Sequence, residues 1–389
     1  MPQVSNRTFQ VFAFAGGLAV GNLYLIQPLL AVVSASLGTT TAQNGWLVSA
    51  TQLGYALGII LLLPLGDILN RKRLIPFLMI LAGLALVAAS LASSFTMLLI
   101  ALGAIGISTI SGQVIVPLTG ELSDDSNRGK NIGRVVSGIM IGILSARTIS
   151  GALEGVVGWQ GALALFGIAA LVMAGVLHRT IPQLKPSTNH HYLKVVADVF
   201  LLPLRNPALL VVLLLNSVAF ALFSSLWTSI TFLLSSHPYN LSAPMIGLFG
   251  LVGVVGAVAA RKGGRLYDQG HANIAIVLAW IVNIASFAIG LLVHTSLVFL
   301  VIQLLIFDGA MQINGLMIQT RLLSKFAHAR SRVNASYVSA NFIGGAAGSA
   351  FSAQLWAHGG WNTVMWVSIG VSSAIWLAWA LLSRTKFLS

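Results

Sequence analysis

Long apolar runs separated by short polar segments dominate the chain. A helix of roughly 20 residues is long enough to cross about 30 Å of membrane hydrocarbon, and each run is close to that length. Twelve such runs occur, at residues 8–33, 44–64, 74–91, 96–118, 132–157, 160–181, 208–235, 243–260, 272–293, 296–320, 333–357 and 361–382. The pattern therefore predicts an all-α membrane protein with twelve transmembrane helices.

Two sequence landmarks recur at nearly the same offset. Asp67 returns as Asp268 after 201 positions, and Trp159, which opens the sixth run, returns as Trp361 after 202 positions. Recurrence at one offset indicates parallel structural repeats. We therefore predict two six-helix halves in parallel arrangement.

The boundary between the halves is marked by a segment that holds four prolines. Within it, residues 192–202 mix charged and apolar side chains with helical spacing, which is typical of a short helix on a membrane surface. The predicted domains are an N-terminal half, a cytoplasmic linker and a C-terminal half, at residues 1–181, 182–207 and 208–389.

Composition and charge support the membrane assignment and orient the chain. With 57% hydrophobic residues, 7% charged residues and a mean hydropathy of +0.91, too little polar surface is present for a soluble globule. Twenty of the 21 Lys and Arg residues fall at the termini or in alternate connections. Because short basic loops stay in the cytoplasm, we expect a multi-pass protein of the inner (plasma) membrane with both termini cytoplasmic. The net charge of +13 then reflects topology, and we expect no nucleic-acid partner.

The sequence offers little for catalysis or for cofactor binding. It has no cysteine, no HExxH or GxSxG motif and no phosphate-binding loop, and its eight histidines lie in loops or near the ends of the runs. We therefore expect no enzymatic activity, no cofactor, no metal and no drive by ATP.

One cation and one acid lie far from the ends of their predicted helices. Arg147 stands between Arg134 and Trp159, roughly 18 to 20 Å from each end of the fifth helix. A lone arginine at that depth costs at least about 2.5 kcal/mol, so it must face water or an acid. Asp308, in the tenth run, is the acid at comparable depth. Either the two residues pair structurally, or they bind substrate and protons.

The connection after the second run carries a motif with family character. The pattern G-x-L-a-D-R-x-G-R-R is kept here at Leu65, Gly66, Asp67, Arg71 and Lys72, and a second copy keeps Gly264, Leu266, Asp268 and Gly270. The whole chain resembles the major facilitator superfamily of transporters. The resemblance implies that Asp67, Arg71 and Asp268 stabilise one conformation of the two halves and so form a gating motif.

A second motif resembles the drug and proton antiporters and the sugar-efflux branch of that family. Their fifth helix carries a glycine, eight residues, a glycine, three residues and then G-P-x-x-G-G. Gly133, Gly142 and Gly151 fit this spacing, and Arg147 stands where the proline is expected. Small residues at these positions let helices approach closely.

In this family, helices 1, 4, 7 and 10 line a central cavity, which assigns a set of polar residues to substrate and proton binding. Besides Arg147 and Asp308, the predicted set is Asn22, Tyr24, Gln27, Gln113, Trp227, Gln312 and Asn314, with Tyr55, Asn216, Tyr337 and Asn341 as further polar neighbours.

We expect a monomeric secondary transporter that moves a small organic solute by rocking its halves around a midplane site, with efflux driven by proton entry. Two alternatives remain open. The first is a uniporter or proton symporter for a small anionic metabolite, in which Arg147 binds a carboxylate. The second is a membrane sensor that does not transport. The expected partners are the solute, protons and the lipid bilayer.

Overall fold

The computed structural model describes residues 5–183, 192–253, 272–326 and 329–382. Within these ranges the chain is helical and contains no strand, which agrees with the predicted all-α class. Nine segments of the described chain are long and apolar enough to cross a membrane. Two of the nine each hold two helices joined at a bend, at Gly158 and Gly360, so eleven spanning helices are described. The predicted eighth run is only partly covered, and the count of twelve stays a prediction.

We number the spanning helices in chain order and take the partly covered run as α8. The bounds are Asn6–Leu37 for α1, Thr41–Ile68 for α2, Arg71–Ser90 for α3, Phe95–Glu121 for α4, Arg128–Thr180 for α5 and α6 together, Pro207–Ser235 for α7, Ala243–Val252 for the described part of α8, Ala272–Gly290 for α9, Leu297–Lys325 for α10, and Arg330–Leu382 for α11 and α12 together. A separate linker helix spans Tyr192–Arg205.

Both bends occur at a glycine that precedes a tryptophan. Gly158 has a φ of 72° and Gly360 has a φ of 65°, a left-handed conformation that side chains with a Cβ disfavour. The following residues, Trp159 and Trp361, are each 2% exposed, and the indole Nε1 of Trp361 donates to the carbonyl of Gly290 at 2.7 Å. Thus the repeated landmark read from the sequence marks the start of α6 and of α12.

The chain divides into two compact units. The first unit contains Met1–Thr40, Trp46–Ala197 and Leu234–Gly250, and the second contains Thr41–Gly45, Asp198–Leu233 and Leu251–Ser389. The division therefore falls within the linker helix, while the first turns of α8 belong with α1 to α6. The domain boundaries proposed from the sequence stay a prediction.

The helix predicted in the linker is confirmed and is longer than expected, and its place on the membrane surface stays a prediction. The hydroxyl of Tyr192 donates to the carbonyl of Leu61, at the end of α2, at 2.7 Å. Further along, Asp198 forms an ion pair with Arg332 at 2.5 Å, and Ser336 donates to the carbonyl of Val199 at 2.7 Å. These contacts fix the start of the linker helix to α2 and its middle to α11.

Small residues bring helices together in both units. In the first unit, a Cβ added to Gly142 of α5 would collide with the backbone of Gly17 in α1. In the second unit, a Cβ added to Gly344 of α11 would collide with the backbone of Ser217 in α7. Gly344 follows Gly142 by 202 positions, the offset of the tryptophan landmark. The same helix pair is therefore packed in the same way in each unit, which supports the predicted parallel repeat.

Substitution of Gly142 by alanine should destabilise the protein. The added methyl group forces α1 and α5 apart, and overpacking of this kind costs about 1 to 3 kcal/mol. Gly133→Ala is the matched control, because Gly133 lies in the same helix with no neighbouring atom within 4 Å of an added Cβ. We expect thermal unfolding in detergent to occur at a lower temperature for Gly142→Ala than for Gly133→Ala. Equal unfolding temperatures would contradict the close packing.

Candidate functional site

Helix α1 is interrupted at the depth of the predicted site. An α-helix over Asn6–Gly21 gives way to two short 3-10 turns, Asn22–Tyr24 and Gln27–Leu29, before α-helix resumes at Leu30–Leu37. Pro28 lies in this stretch, and proline has no backbone N–H to donate to the preceding turn. The interruption presents the side chains of Tyr24 and Gln27, both predicted as site residues, toward α5.

Arg147 of α5 is held by these two side chains. Arg147 is 4% exposed, its Nε donates to Oε1 of Gln27 at 2.6 Å, and its guanidinium carbon lies 4.5 Å from the ring centre of Tyr24. The ring face attracts the cation, and the amide oxygen fixes its orientation. Gln27 and Tyr24 carry no negative charge, so they position the guanidinium without neutralising it.

The backbone around Arg147 is fixed from two sides. Ser150, one turn later, donates to the carbonyl of Leu25 in the interrupted part of α1 at 3.0 Å. On another side, Thr148 donates to the carbonyl of Gly247 in α8 at 2.9 Å, and a Cβ on Gly250 would lie 3.1 Å from Cβ of Arg147. The participation of α8 was missed by the sequence reasoning, because a pair of glycines in an apolar run does not reveal which helix they contact.

Asp308 of α10 is also buried, at 5% exposure, and it lies in the second unit. The indole Nε1 of Trp227 in α7 donates to its Oδ1 at 3.4 Å, a long hydrogen bond. Aromatic rings surround this contact, with the Phe223 ring centre 6.4 Å from that of Trp227 and 6.3 Å from that of Phe307.

The structure brings Arg147 together with Tyr24 and Gln27 in the first unit, and Asp308 together with Trp227 in the second unit. The direct pairing of Arg147 with Asp308, one of the two readings of the sequence, stays a prediction.

The remaining predicted residues have different environments. Asn22 is 3% exposed and Asn314 is 1% exposed, and neither side-chain amide has a hydrogen-bond partner among the described residues. Gln113 donates to the hydroxyl of Tyr55 at 2.9 Å. Gln312, in contrast, is exposed. Two buried amides without protein partners are candidates to bind a solute or water, since an unsatisfied buried polar group costs about 1 to 3 kcal/mol.

Two of the further polar neighbours bind each other. The amide of Asn216 in α7 donates to Oδ1 of Asn341 in α11, and both residues are buried. The hydroxyl of Tyr337 donates to the carbonyl of Gly315 in α10 at 3.2 Å. These contacts join helices of the second unit, so Asn216, Asn341 and Tyr337 each have a role in helix packing.

The gating motif forms a cluster around Arg71. Its Nε donates to the carbonyl of Gly66 at 2.6 Å, Nη2 lies 3.2 Å from Oδ1 of Asp67, and Nη1 binds a carboxylate oxygen of Glu121. The side chain of Arg71 is 10% exposed, whereas that of Asp67 is 47% exposed. Arg71, at the start of α3, therefore joins the last turn of α2 to the end of α4 through two acids.

Glu121 was missed in the sequence analysis. It ends a helix far from the motif along the chain, and only the packing of α4 beside the loop identifies it as a partner. The second motif copy, with Asp268, lies outside the described residues.

A match to a protein-family model identifies the family to which this chain belongs. A model described as the Major Facilitator Superfamily matches residues 12–349. The chain belongs to the major facilitator superfamily. As a member, it is a multi-pass membrane transporter.

Similar proteins agree with this family. The chain is 35% identical to "Uncharacterized transporter YgaY" of Escherichia coli O157:H7, over 97% of this chain and 96% of that protein. It is 28% identical to "Probable transporter SCO4007" of Streptomyces coelicolor, over 91% of this chain and 82% of that protein. These relatives carry the names of transporters, which favours transport over catalysis.

Solved structures show the same fold. A bacterial homologue of the human lysosomal transporter Spinster, in an inward-facing and occupied conformation, matches with a TM-score of 0.78 at 17% identity, over 97% of both chains. The nucleoside transporter NupG matches with a TM-score of 0.76 at 17% identity, over 98% of this chain and 100% of that one. At such identities the likeness concerns the major facilitator fold alone.

Removal of either acid beside Arg71 should change the balance between conformations of this transporter. We expect Asp67→Asn and Glu121→Gln to shift the inward and outward populations about tenfold, equivalent to about 1.4 kcal/mol, and to slow transport far more than they weaken solute binding. The measurement is the rate at which a thiol reagent labels a cysteine introduced near the outer end of α1, in a chain with no native cysteine. Asp125→Asn, in an exposed loop, is the control. Unchanged labelling in both test variants would refute the gating role.

Proposed function

We propose that the protein exports a small organic solute across the bacterial inner membrane in exchange for protons, by alternating access of its two halves. Arg147 binds the solute, and Asp308 carries the proton. The proposal is supported chiefly by the buried guanidinium of Arg147, which is oriented by neutral groups of an interrupted helix.

The chemistry of Arg147 favours a solute with an anionic or strongly accepting group. A guanidinium presents a planar fork of donors that matches a carboxylate or a phosphate. Gln27 and Tyr24 orient this fork, and a solute anion that reaches it gains hydrogen bonds together with charge complementarity. The buried amide of Asn22, on the same interrupted stretch of α1, is a further donor and acceptor in the first unit.

The setting of Asp308 favours a coupling role. Asp308 is buried, and the indole of Trp227 donates a long hydrogen bond to it. A buried acid in a transmembrane helix can gain and lose a proton when its hydrogen-bond partners change during a transport cycle. Proton entry then drives the solute outward, as in the antiporters that the fifth-helix motif resembles.

Substitutions at Arg147 separate a solute ligand from a structural ion pair. If a solute anion is the partner, Arg147→Lys should weaken binding through loss of the bidentate geometry, and Arg147→Ala should nearly abolish it while the protein still folds. A panel of carboxylates and phosphates is added to the purified variants, with the corresponding neutral amides and alcohols as controls, and binding is read from the shift in thermal unfolding.

A fixed pair of Arg147 with Asp308 predicts a different pattern. Loss of the arginine alone should then destabilise the protein by about 3 to 5 kcal/mol, and Arg147→Ala combined with Asp308→Ala should restore stability. Recovery of both stability and transport in that double variant would rule out a role of Arg147 in binding the solute.

Replacement of Asp308 by asparagine should uncouple transport from protons. The amide keeps the size of the carboxyl group and can still accept from Trp227, so binding and solute counterflow should persist while flux driven by a pH gradient is lost. The measurement is flux of the best ligand of the panel into and out of proteoliposomes, with and without the gradient. Asp308→Asn combined with Asn314→Asp moves the carboxyl group to another position in the same helix, and it tests whether coupling needs the carboxyl group at position 308. Full flux driven by the gradient in Asp308→Asn would sink the coupling role.

The same assay separates the alternatives. A uniporter shows flux that a pH gradient does not change, and a proton symporter accumulates the solute on the side toward which protons move. A protein that binds a ligand of the panel but shows neither flux nor counterflow would act as a sensor.

A further inference from the structure

A partly open groove in the second unit is distinct from the residues assigned to transport. It lies where α7 begins and where α10 and α12 end, and about 390 Å³ of space, part of it open to the surroundings, lies between its walls. Its walls are mainly apolar, with Val212 from α7, Leu322 from α10 and Trp379 from α12. An apolar wall at the ends of membrane helices suits a hydrocarbon chain.

Two basic side chains complete the lining of the groove. Arg321 and Lys325 stand one turn apart in the last part of α10, so they share one face of that helix. Nη1 of Arg321 donates to Oδ1 of Asn273 in α9 at 2.5 Å, which orients the guanidinium. None of the described residues that line the groove is acidic. The groove thus joins a hydrocarbon surface to two positive charges.

The wall also contains a polar atom that lacks a protein partner. Trp379 is 1% exposed, and its indole Nε1 has no acceptor among the described residues. A buried donor of this kind usually has a partner, and indole groups are enriched where one end meets hydrocarbon and the other a polar layer.

The neighbouring linker helix indicates the depth of the groove in the membrane. Phe200 is 51% exposed and Leu204 is 65% exposed, and their spacing of four residues places them on one face of the linker helix, directly before α7 begins. Exposed apolar side chains on an amphipathic helix insert at the boundary of headgroups and acyl chains. The start of α7, and with it the groove, therefore lies at headgroup level, on the side that the basic residues predict to be cytoplasmic.

We infer that this groove binds one anionic phospholipid of the inner leaflet. Its phosphate lies against Arg321 and Lys325, and one acyl chain follows the apolar wall toward Val212 and Trp379. Anionic lipids are the ligands that basic pockets between transmembrane helices recognise on the cytoplasmic side. The site is independent of Arg147 and Asp308, so it stands whether or not the transported solute is an anion.

Fluorescence quenching by brominated lipid tests this site directly. Phosphatidylglycerol with brominated acyl chains is added to the purified protein in neutral detergent, and the quenched signal of Trp379 is obtained as the difference between the wild type and Trp379→Phe. We expect a saturable Trp379 signal with phosphatidylglycerol. Its half-saturation concentration should rise roughly thirtyfold in Arg321→Gln combined with Lys325→Gln, from the usual contribution of two basic residues near an anionic lipid.

Control variants and competing ligands complete the experiment. Arg128→Gln combined with Lys130→Gln removes the same charges from exposed positions in the first unit and should leave quenching unchanged. Arg321→Lys combined with Lys325→Arg keeps both charges and should keep binding. Should the double glutamine variant fail to fold, the exposed Lys325 alone can be changed to Gln, with an expected rise of roughly fivefold.

Three results would overturn the inference. Equal quenching of Trp379 by brominated phosphatidylcholine would mean that the headgroup charge is not recognised. Suppression of the phosphatidylglycerol signal by millimolar inorganic phosphate would identify a site for free phosphate. Absence of any Trp379 difference signal would mean that no acyl chain enters the groove.

Discussion

A guanidinium buried within a transmembrane helix is the feature on which the candidate site depends. An arginine at that depth costs at least about 2.5 kcal/mol, and its surroundings must compensate it. Here part of the compensation comes from a break in α1 that turns Gln27 and Tyr24 toward Arg147. The break is useful only because Gly17 and Gly142 let α1 and α5 approach closely. The position of Arg147 therefore depends both on the break in α1 and on the glycine contact between α1 and α5.

The internal repeat shows which part of this arrangement is specific to the first unit. The position 202 residues after Arg147 is Ser349, whose hydroxyl is hydrogen-bonded to that of Thr228 in α7. Both units thus pack the same helix pair with a polar contact at the same level, but only the first places a charge there. In the second unit the charged group is Asp308, on another helix. This asymmetry is consistent with the proposed division of labour, in which one unit binds the solute and the other carries the proton.

Hydropathy was sufficient to predict the spanning helices that the structure describes, because burial in lipid dictates which residues such a helix can contain. The family was predicted from the motif around Asp67. Hydropathy and charge also predicted that Arg147 and Asp308 are deep. The partners of these residues depend on the rotation of each helix about its axis, which composition does not encode. For that reason the contact of Glu121 with Arg71 and the packing of α8 on α5 were missed.

The central claim is that solute binding at Arg147 is linked to proton exchange at Asp308. Proton release can be measured directly, by adding an anionic ligand to purified protein in weak buffer with a pH-sensitive dye. We predict that the wild type releases protons in proportion to the ligand bound, and that Asp308→Asn binds the same ligand without release. Equal proton release by the wild type and by Asp308→Asn would contradict the claim.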